Sequence, residues 1–341
     1  MTVCKAMAAT PTPKQTLNNP AQAALAAMPA VFDTATGIAI AFSGGADSTA
    51  LLMAAAQRWP GRVQAIHIHH GLQAAADDFV RVCELVCASL HVPLEVVYVN
   101  AVHAPGQSPE DAARRARYSA LAHAATKLNL NAVLLGQHAD DQAETVILAL
   151  SRGAGLPGLS AMAVKFMRHN MWFYRPLLQT PAASLRAWLI QESIPFVDDP
   201  SNSDQHYTRN RIRARLLPVL AETFPQFRET FARSARHAAQ AHCLLLEVAV
   251  EDLARIGVPP VIKTLQQLSK ARQANVIRHW LLNTCQATPS AAQLDQLLSQ
   301  ISACTTRGHR LHLKVATGHI VRAGDVLSYV PSIKTSNANL N

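Results

Sequence analysis

Short apolar runs alternate with longer helical patterns over the first 200 residues of the chain. The runs are rich in Ile, Val, Leu and Ala, which is typical of strands buried on both faces of a parallel sheet. The segments between them repeat their apolar positions every three to four residues, as amphipathic helices do. Strands are predicted at Ile38–Phe42, Val63–Ile68, Leu94–Val99 and Ala132–Leu135, with a weaker one near Phe196. Helices are predicted at Thr49–Arg58, Ala75–Leu90, Glu110–Leu128 and Asp140–Ser151.

Beyond residue 200 the pattern becomes mostly helical. It is helical from 209 to about 253, is interrupted by Pro259-Pro260, and resumes from 262 to 301. Two short alternating segments, Arg310–Val315 and His319–Val321, follow. The chain is therefore predicted to have an α/β fold with a doubly wound, mostly parallel sheet, a helical extension and a smaller α+β C-terminal domain.

The turn after the first predicted strand has the composition of a phosphate-binding loop. It reads Ser43-Gly-Gly-Ala-Asp-Ser48 and opens into a helix. Glycines let the backbone approach a phosphate, and the helix N-terminus favours negative charge. Asp47 offers a carboxylate for the Mg²⁺ that accompanies a nucleotide. A Ser-capped glycine turn is the structural alternative, and the Walker sequence G-x-x-x-x-G-K-[ST] is absent from the chain.

A second polar segment follows the fourth predicted strand and reads Gly136-Gln-His-Ala-Asp-Asp-Gln-Ala-Glu-Thr145. Its helical spacing places Asp140, Asp141 and Glu144 on adjoining faces. These acids would bind Mg²⁺ or the ammonium group of an amine substrate, and acidic capping of the helix N-terminus is the structural alternative. His138 would polarise a phosphate or act as an acid–base group.

Two further segments offer nucleotide contacts. His67-Ile-His-His70 ends the second predicted strand, and contacts to adenine or phosphate are favoured over a metal site because no fourth ligand has suitable spacing. Arg114 and Arg117 lie one helical turn apart, where forked guanidinium groups suit phosphate or carboxylate recognition. Pairing with Glu110 on a solvated helix is the alternative.

The charge of the chain is unevenly distributed. The net charge is +9, yet residues 1–200 carry 14 Lys and Arg against 14 Asp and Glu, and the remainder carries 17 against 8. A basic second half favours a polyanionic partner, most simply RNA. Four arginines alternate from Arg209 to Arg215, so some are expected to turn inward to the active site and others outward to RNA.

Composition also bounds the compartment. No apolar run approaches the length of a membrane-spanning helix. The six cysteines include no C-x-x-C pair, which favours a reducing compartment and hence the cytoplasm. The N-terminal residues lack a strong apolar core, so a ragged leader is expected rather than a secretory signal, with a cleaved transit segment as the alternative.

The motifs together resemble those of the bacterial tRNA(Ile)-lysidine synthetase family, within the PP-loop ATP pyrophosphatase superfamily. The resemblance is close over residues 30–240 and looser to about 330. Gln137 and Gln73 depart from the family pattern, in which His and Arg are common at the matching positions. The matching motifs are Ser43–Ser48, His67-x-x-His70-Gly-Leu, Glu110-x-Ala-Ala-Arg-x-x-Arg-Tyr118, Gly136–Thr145, Arg152-Gly-x-Gly, Arg175-Pro-Leu-Leu, and Asp199-Pro-Ser-Asn with Arg209-Asn-Arg-Ile-Arg.

The resemblance implies a ligase in tRNA modification. Such an enzyme uses ATP and Mg²⁺ to adenylate the C2 oxygen of the wobble cytidine in a CAU-anticodon isoleucine tRNA, and free L-lysine then displaces AMP to give lysidine. Its implied catalytic residues are Asp47, His138, Asp141, Glu144 and Arg209. Asp47 and Asp140 are implied to hold Mg²⁺. The implied ATP contacts are Ser43, Gly44, Gly45, Ala46, Asp47, Ser48, His67, His70, Arg114 and Gly136.

The resemblance also implies an organisation of the chain and a set of partners. The implied partners are the tRNA and free lysine. No membrane partner is expected, and a homodimer is. Either Asp141 or Glu144 would accept the proton of the attacking amine. The predicted regions are a flexible leader and surface helix (1–30), a PP-loop nucleotide-binding domain (31–205), a helical linker (206–255), a small basic tRNA-contacting domain (256–331) and a disordered tail (332–341).

Two other functions remain open at this point. A PP-loop tRNA thiolase would adenylate the base and then add sulfur, but its chemistry usually needs a cysteine pair that this chain lacks. A non-catalytic tRNA-binding protein with a vestigial nucleotide fold is the third interpretation. The intact acid set of Asp47, Asp140, Asp141 and Glu144 argues against it.

Overall fold

The computed structural model describes residues 18–28, 37–69, 76–99, 109–198, 204–306 and 308–331. The chain divides into two compact units, before and after the bond between Arg236 and His237. The predicted leader, His70, Gln73, the segment 199–202 and the predicted tail lie outside the described residues. No helix in the described part of the chain is long and apolar enough to cross a membrane.

The first unit is built on a mostly parallel sheet. Its strand order is β3-β2-β1-β4-β6-β5, in which only β5 runs antiparallel to its neighbour. The order reverses between β1 and β4, which is the switch point where doubly wound sheets bind ligands. The strands are β1 (Gly37–Ala41), β2 (Val63–His69), β3 (Leu94–Tyr98), β4 (Leu130–Leu134), β5 (Lys165–Arg168) and β6 (Met171–Tyr174).

Helices cover both faces of this sheet. Ile40 packs into a core with the residues of α2 and α7, whereas its neighbour Ala39 packs on the other face with Leu121 of α4. Strand residues thus alternate between two apolar cores, which confirms the predicted doubly wound α/β fold. The helices are α1 (Pro20–Ala26), α2 (Ala46–Arg58), α3 (Ala76–Leu90), α4 (Pro109–Lys127), α5 (Ala139–Ser151), α6 (Leu156–Leu159) and α7 (Ala182–Gln191).

The edge of the sheet beyond β4 differs from the prediction. The weak strand expected near Phe196 is reduced to a single bridge between Val197 and Gly45. The edge is instead the β5–β6 hairpin, whose turn residues His169 and Asn170 both have positive φ (50° and 57°). Two left-handed residues give a turn that matches the twist of a hairpin, and Asn is one of the residues that accept this conformation.

The helical extension is more broken than predicted. The helical pattern predicted from 209 to about 253 is divided into α8 (Thr208–Arg211), a π-helical segment (Ile212–Leu216), α9 (Leu217–Thr223) and α10 (Phe227–Ile256). Pro225 separates α9 from α10, because the residue before a proline is pushed out of helical geometry. Phe224 accordingly has φ −133° and ψ 80°.

The second unit packs helices against a small antiparallel sheet. The sheet order is β7-β8-β9, and its buried residues join those of the helices in one apolar core around Trp280 and Leu297. The predicted α+β character is therefore confirmed, while β9 was not predicted. Besides the end of α10, the elements are α11 (Ile262–Gln266), α12 (Lys270–Cys285), α13 (Ala291–Ala303), β7 (His312–Val315), β8 (Gly318–Ala323) and β9 (Val326–Pro331).

Candidate active site

A cleft of about 680 Å³ opens at the carboxyl ends of the parallel strands of the first unit. It lies at the switch point between β1 and β4, and it is walled by the turn after β1, the end of β2, helix α4 and the loop after β4. The predicted site residues that line it are Ser43, Gly45, Ala46, Asp47, Ser48, His67, Arg114, Gly136, His138 and Asp141.

The Ser43–Ser48 turn leaves donors available for an anion. Ser48 Oγ accepts the N–H of Ser43 (3.2 Å) and donates to the carbonyl of Gly45 (3.0 Å). Gly45 is the N-cap of α2 and has no side chain to cap it, so the first N–H groups of α2 receive no side-chain acceptor. Such N–H groups at a helix N-terminus bind phosphate. The turn therefore has the geometry of a phosphate cradle.

Two glycines are required by close packing at this turn. Gly44 has φ +83°, and a Cβ there would lie 3.1 Å from Cys83 Sγ. A Cβ on Gly136 would lie 3.1 Å from the backbone nitrogen of Ser48 and 3.3 Å from the carbonyl carbon of Asp47. The loop after β4 therefore touches the backbone of the phosphate turn directly, and a side chain at Gly136 would push the two apart.

His138 connects the phosphate turn to the acidic helix α5. The ring Nδ1 of His138 accepts a hydrogen bond from the backbone N–H of Asp141 (3.3 Å). The backbone N–H of His138 donates to Asp141 Oδ2 (3.2 Å), and the two bonds form a capping box. With Nδ1 acting as an acceptor, Nε2 of the ring faces the carboxylates of Asp47 and Asp141, each at 3.5 Å. Burial raises the pKa of Asp47, and the nearby His138 opposes this rise. Asp141 thus both caps α5 and lines the cleft, so the capping alternative does not exclude a functional role for this acid.

Glu144 lies behind the cleft wall and is completely buried. Its Oε1 accepts a hydrogen bond from Arg213 Nε (2.8 Å), and Arg213 Nη2 also donates to Asp141 Oδ1 (3.2 Å). Its Oε2 has no hydrogen-bond partner, with Arg209 Nη1 at 3.8 Å. Burial raises the pKa of Glu144, while the charge of Arg213 lowers it. The result is a buried carboxylate with one oxygen left to accept another donor.

Arg213 is the site residue that the sequence did not single out, since Arg209 was named in its place. Arginines alternate at 209, 211, 213 and 215, and regular helical spacing spreads them around the axis. Arg213 lies in the π-helical segment, where the wider turn changes the direction of each side chain. The arginine run was the signal, but choosing among its members required the local helix geometry.

Asp140 is not among the residues that line the cleft, so its predicted role as a metal ligand gains no support from this geometry. One oxygen accepts from Arg228 Nε (2.6 Å) and the other from the N–H of Ala182 (3.0 Å). Both oxygens are therefore engaged in joining α5 to α7 and α10. Of Asp47 and Asp140, the two carboxylates that the family resemblance implies for Mg²⁺, Asp47 lines the cleft, and its side chain is one-third exposed (33 %). No group of three or more potential metal ligands occurs among the described residues.

His67 at the end of β2 and Arg114 on α4 both line the cleft, but each already has a partner within the protein. His67 Nδ1 lies 2.9 Å from the carbonyl of Phe42 and 3.4 Å from Cys83 Sγ, and burial lowers its pKa. A neutral His67 suits packing under the nucleotide better than pairing with a phosphate. Arg114 lines the cleft while pairing with Asp111 (3.0 Å) at the surface.

The buried Arg175 holds the side chain of Gln137, one of the two positions that depart from the family pattern. Arg175 donates to the side-chain oxygen of Gln137, to the carbonyl of Ala163 (2.8 Å) and to Tyr118 Oη (3.3 Å). Its guanidinium also stacks 4.2 Å from the ring of Phe166. Gln137 and Tyr118 both line the cleft, so Arg175 fixes two of its wall residues.

The fold and this site define a PP-loop ATP-utilising protein. The model of the PP-loop domain matches residues 14–220, and the model of the TilS substrate binding domain matches residues 261–327. The solved U34-tRNA thiolase NcsA from Methanococcus maripaludis has a TM-score of 0.56 with 14% identity, and the match covers 64% of this chain and 76% of that chain. At this identity the likeness concerns the fold.

Curated relatives identify the family. The chain is 67% identical over 313 residues to the tRNA(Ile)-lysidine synthase of Polaromonas naphthalenivorans, which covers 91% of this chain and 95% of that protein. It is 42% identical over 275 residues to the synthase of the same name from Burkholderia pseudomallei, covering 79% of this chain but 56% of that protein. It is 40% identical over 277 residues to the synthase of the same name from Escherichia coli O157:H7, covering 79% of this chain and 63% of that protein. The chain belongs to the tRNA(Ile)-lysidine synthase family.

Proposed function

We propose that this protein ligates free L-lysine to C2 of the wobble cytidine of a CAU-anticodon isoleucine tRNA and consumes ATP to do so. The name of its relatives describes lysidine synthesis on an isoleucine tRNA, and a synthase of this kind is a ligase that forms a carbon–nitrogen bond. One observation carries the assignment to this cleft: the phosphate turn and the Asp141–Glu144 acid pair lie side by side, joined through His138.

The first half-reaction activates the base. The C2 oxygen of cytidine attacks the α-phosphorus of ATP, and the bond to pyrophosphate breaks. The uncapped N–H groups of α2 and the hydroxyl of Ser43 would hold the phosphates. The partly exposed carboxylate of Asp47 fits a Mg²⁺ that would neutralise charge on the phosphates. His138 Nε2 would keep Asp47 oriented in the cleft.

The second half-reaction forms the new bond. The lysine amine attacks C2, the C2–O bond breaks, and AMP leaves with the bonding electrons. At neutral pH the amine is mostly protonated, because its ordinary pKa is about 10.4. Glu144 and Asp141 are the anionic groups that would hold the ammonium and take its proton. Glu144 suits the second task because burial raises its pKa and its Oε2 lacks a hydrogen-bond partner.

Arg213 has a direct consequence for this step. Its guanidinium now satisfies Glu144 Oε1 and Asp141 Oδ1, the acids that the incoming ammonium would need. A cation entering this site would therefore share those acids with Arg213 or displace it. Arg213, rather than Arg209, is the arginine that we assign to the lysine-binding side of the cleft.

The function is tested by incubating the purified chain with ATP, Mg²⁺, labelled lysine and the CAU-anticodon isoleucine tRNA. We expect label to enter the tRNA with release of one AMP per lysine. A folded enzyme that binds ATP yet incorporates no lysine would contradict the proposal. The homodimer and the cytoplasmic location predicted from the sequence stay predictions, and size measurement in solution would test the first.

The thiolase interpretation gains no support from Cys83 and Cys87, the two cysteines of α3. Cys83 and Cys87 are buried in the first unit, and burial raises the pKa of each thiol to about 12. A thiol with so high a pKa is a poor nucleophile and a poor sulfur carrier at neutral pH. Transfer of sulfur to the tRNA in the same assay, with sulfide supplied in place of lysine, would revive this alternative.

A further inference from the structure

The antiparallel sheet of the second unit has one buried and one exposed face. Leu313, Val315 and Ile320 point into the apolar core, and the residues between them point away from it. We call the outward residues Arg310, His312, Lys314 and His319 the basic sheet face. All four side chains are exposed or half-buried.

Strand register brings these four residues together. Residues two apart on a strand share a face, so Arg310, His312 and Lys314 form a row along β7 and the residues just before it. Lys314 is paired directly with His319 of β8. The neighbouring outward positions at 321, 328 and 330 are Val, Ser and Val, so no acidic side chain of the described strands interrupts the row.

Two of these residues form an aromatic platform. The imidazole rings of His312 and His319 are 4.7 Å apart with an interplanar angle of 23°, which is a stacked arrangement across the two strands. An exposed planar ring is the surface on which unpaired RNA bases stack, and sheet faces commonly present such rings. Basic groups beside stacked rings match the chemistry of RNA better than that of a protein partner.

A clamped loop supports the start of the row. Arg322 is largely buried and donates to the carbonyls of Thr306 (2.6 Å), His309 (3.3 Å) and Gly324 (2.8 Å). These bonds tie the segment before β7 to the turn after β8. Arg310 therefore projects from a backbone that is fixed on both sides, which lowers the entropy cost of binding through this face.

We propose that the basic sheet face binds the tRNA substrate, with Arg310 and Lys314 on backbone phosphates and the His312–His319 pair under an unpaired base. This inference rests on the proposed function, since it takes the tRNA as the partner. The matched family model describes a substrate binding domain over 261–327 without saying which surface of it acts. The geometry selects the outer face of β7 and β8.

The phosphate contacts are tested with Lys314→Gln and Arg310→Gln in the full chain. The matched controls are Lys263→Gln and Arg278→Gln, exposed basic residues on α11 and α12 of the same unit. Affinity for the CAU-anticodon isoleucine tRNA is measured over a range of salt concentrations. Each sheet-face change should reduce the slope of log affinity against log salt by about 1, as the loss of one phosphate contact does, while the controls leave it unchanged.

The stacking contact is tested with the double variant His312→Ala/His319→Ala, with His279→Ala on α12 as its control. Loss of base stacking should weaken tRNA binding by about tenfold or more without changing the salt slope. Circular dichroism and ATP affinity, which report the folding and the intact cleft, should stay as in the wild type for every variant.

The outcomes separate the two proposals. Lysidine formation by the wild type with sheet-face variants that bind tRNA like their controls would overturn the basic sheet face alone. Wild-type protein that neither binds nor modifies this tRNA would overturn the proposed function. Sheet-face variants that raise the KM for tRNA, with an unchanged turnover at saturating tRNA, would support both.

Discussion

The two units of this chain bury different kinds of residue. In the first unit, charged side chains are buried and pair across elements, as Glu144 does with Arg213 and Asp140 with Arg228. In the second unit the core is apolar, and among its described residues Asp252 is the one buried acid, paired with the half-exposed Arg272. Apart from Arg322, which is largely buried, the other lysines and arginines described in this unit are exposed. The first unit thus places its paired charges inside the protein, whereas the second unit places most of its charges on the surface.

This difference sets what each unit can tolerate. A buried carboxylate needs its partner, because removal of one member leaves an uncompensated charge. Replacing an exposed basic residue changes the free energy of unfolding of the protein only a little. Substitutions in the first unit should therefore change catalysis or stability sharply, and those in the second should change tRNA affinity by graded amounts.

The largest effect is expected for Asp47→Asn. This change keeps the size of the side chain but removes the charge that fits Mg²⁺ beside the phosphate turn. We expect adenylation, measured as pyrophosphate release with tRNA and ATP, to fall by about a thousandfold, a loss similar to that for other charge-stabilising groups. Asp295→Asn, at an exposed position of α13, is the control. Full pyrophosphate release by Asp47→Asn would remove Asp47 from the site.

Gly136→Ala should follow with a fall in turnover of about a hundredfold, since small misplacements of reacting groups cost that much. The added methyl group would press on the backbone of Asp47 and Ser48, with no flexible side chain to give way. ATP affinity measured by titration should fall in parallel. Gly155→Ala is the control, because its new methyl would meet nothing closer than 3.8 Å. Equal ATP affinity for both variants would contradict the close packing described here.

Arg213→Gln should lower turnover by about tenfold at neutral pH and shift its pH dependence. Arg213 lowers the pKa of Glu144, whereas burial raises it. Without Arg213 only the weaker effect of Arg209 opposes burial, so the pKa of Glu144 rises and, as the pH falls, the carboxylate is protonated at a higher pH. The acidic limb of kcat/KM for lysine should therefore move to higher pH. Arg211→Gln, an exposed neighbour, should leave the limb in place.

The smallest catalytic effect is expected for Asp140→Asn, which tests whether Asp140 is a metal ligand or a structural partner of Arg228. Turnover and the Mg²⁺ requirement should change less than about threefold, since Asp140 does not line the cleft. Stability should fall by about 2 kcal/mol, because Arg228 loses a charged partner. Urea unfolding measures this loss. A raised Mg²⁺ requirement with unchanged stability would restore Asp140 as a metal ligand.

Much of the first unit could be predicted from the sequence, because each element carries a local signal. The apolar runs of β1, β2 and β4 and the turn at Ser43–Ser48 follow from residue type and order alone. The β5–β6 hairpin was missed because its strands are four residues each and only Asn170 marks the turn. The weak strand near Phe196 was wrong because an apolar residue that packs beside a core need not pair in the sheet.

The partners of the site acids were harder to predict. Asp140 and Glu144 have the same charge and lie on the same helix, yet one is bonded to Arg228 and the other to Arg213. These arginines are 69 to 88 residues away in the chain, and a π-helical segment decides where Arg213 points. No local pattern encodes such a choice. The Gln137–Arg175 contact likewise depends on two strands meeting at one edge.

In the basic second half of the chain, too, the sequence predicts local features but not the contacts between strands. Its excess positive charge was countable from the sequence and predicted a polyanionic partner. The row of Arg310, His312 and Lys314 follows from strand alternation, but its pairing with His319 depends on register. Strand β9, which completes the sheet, was not anticipated.

Separating the two half-reactions in the Glu144→Gln variant tests most directly whether the buried acid pair serves the lysine step. Rapid mixing with ATP, the tRNA and labelled lysine would follow pyrophosphate release and lysine incorporation in the same samples. We predict near-normal pyrophosphate release, because the phosphate turn is untouched, with lysine incorporation slowed by about a thousandfold for loss of the general base. Lysine incorporation at the wild-type rate would contradict the role of the buried acid pair and, with it, the assignment of chemistry to this cleft.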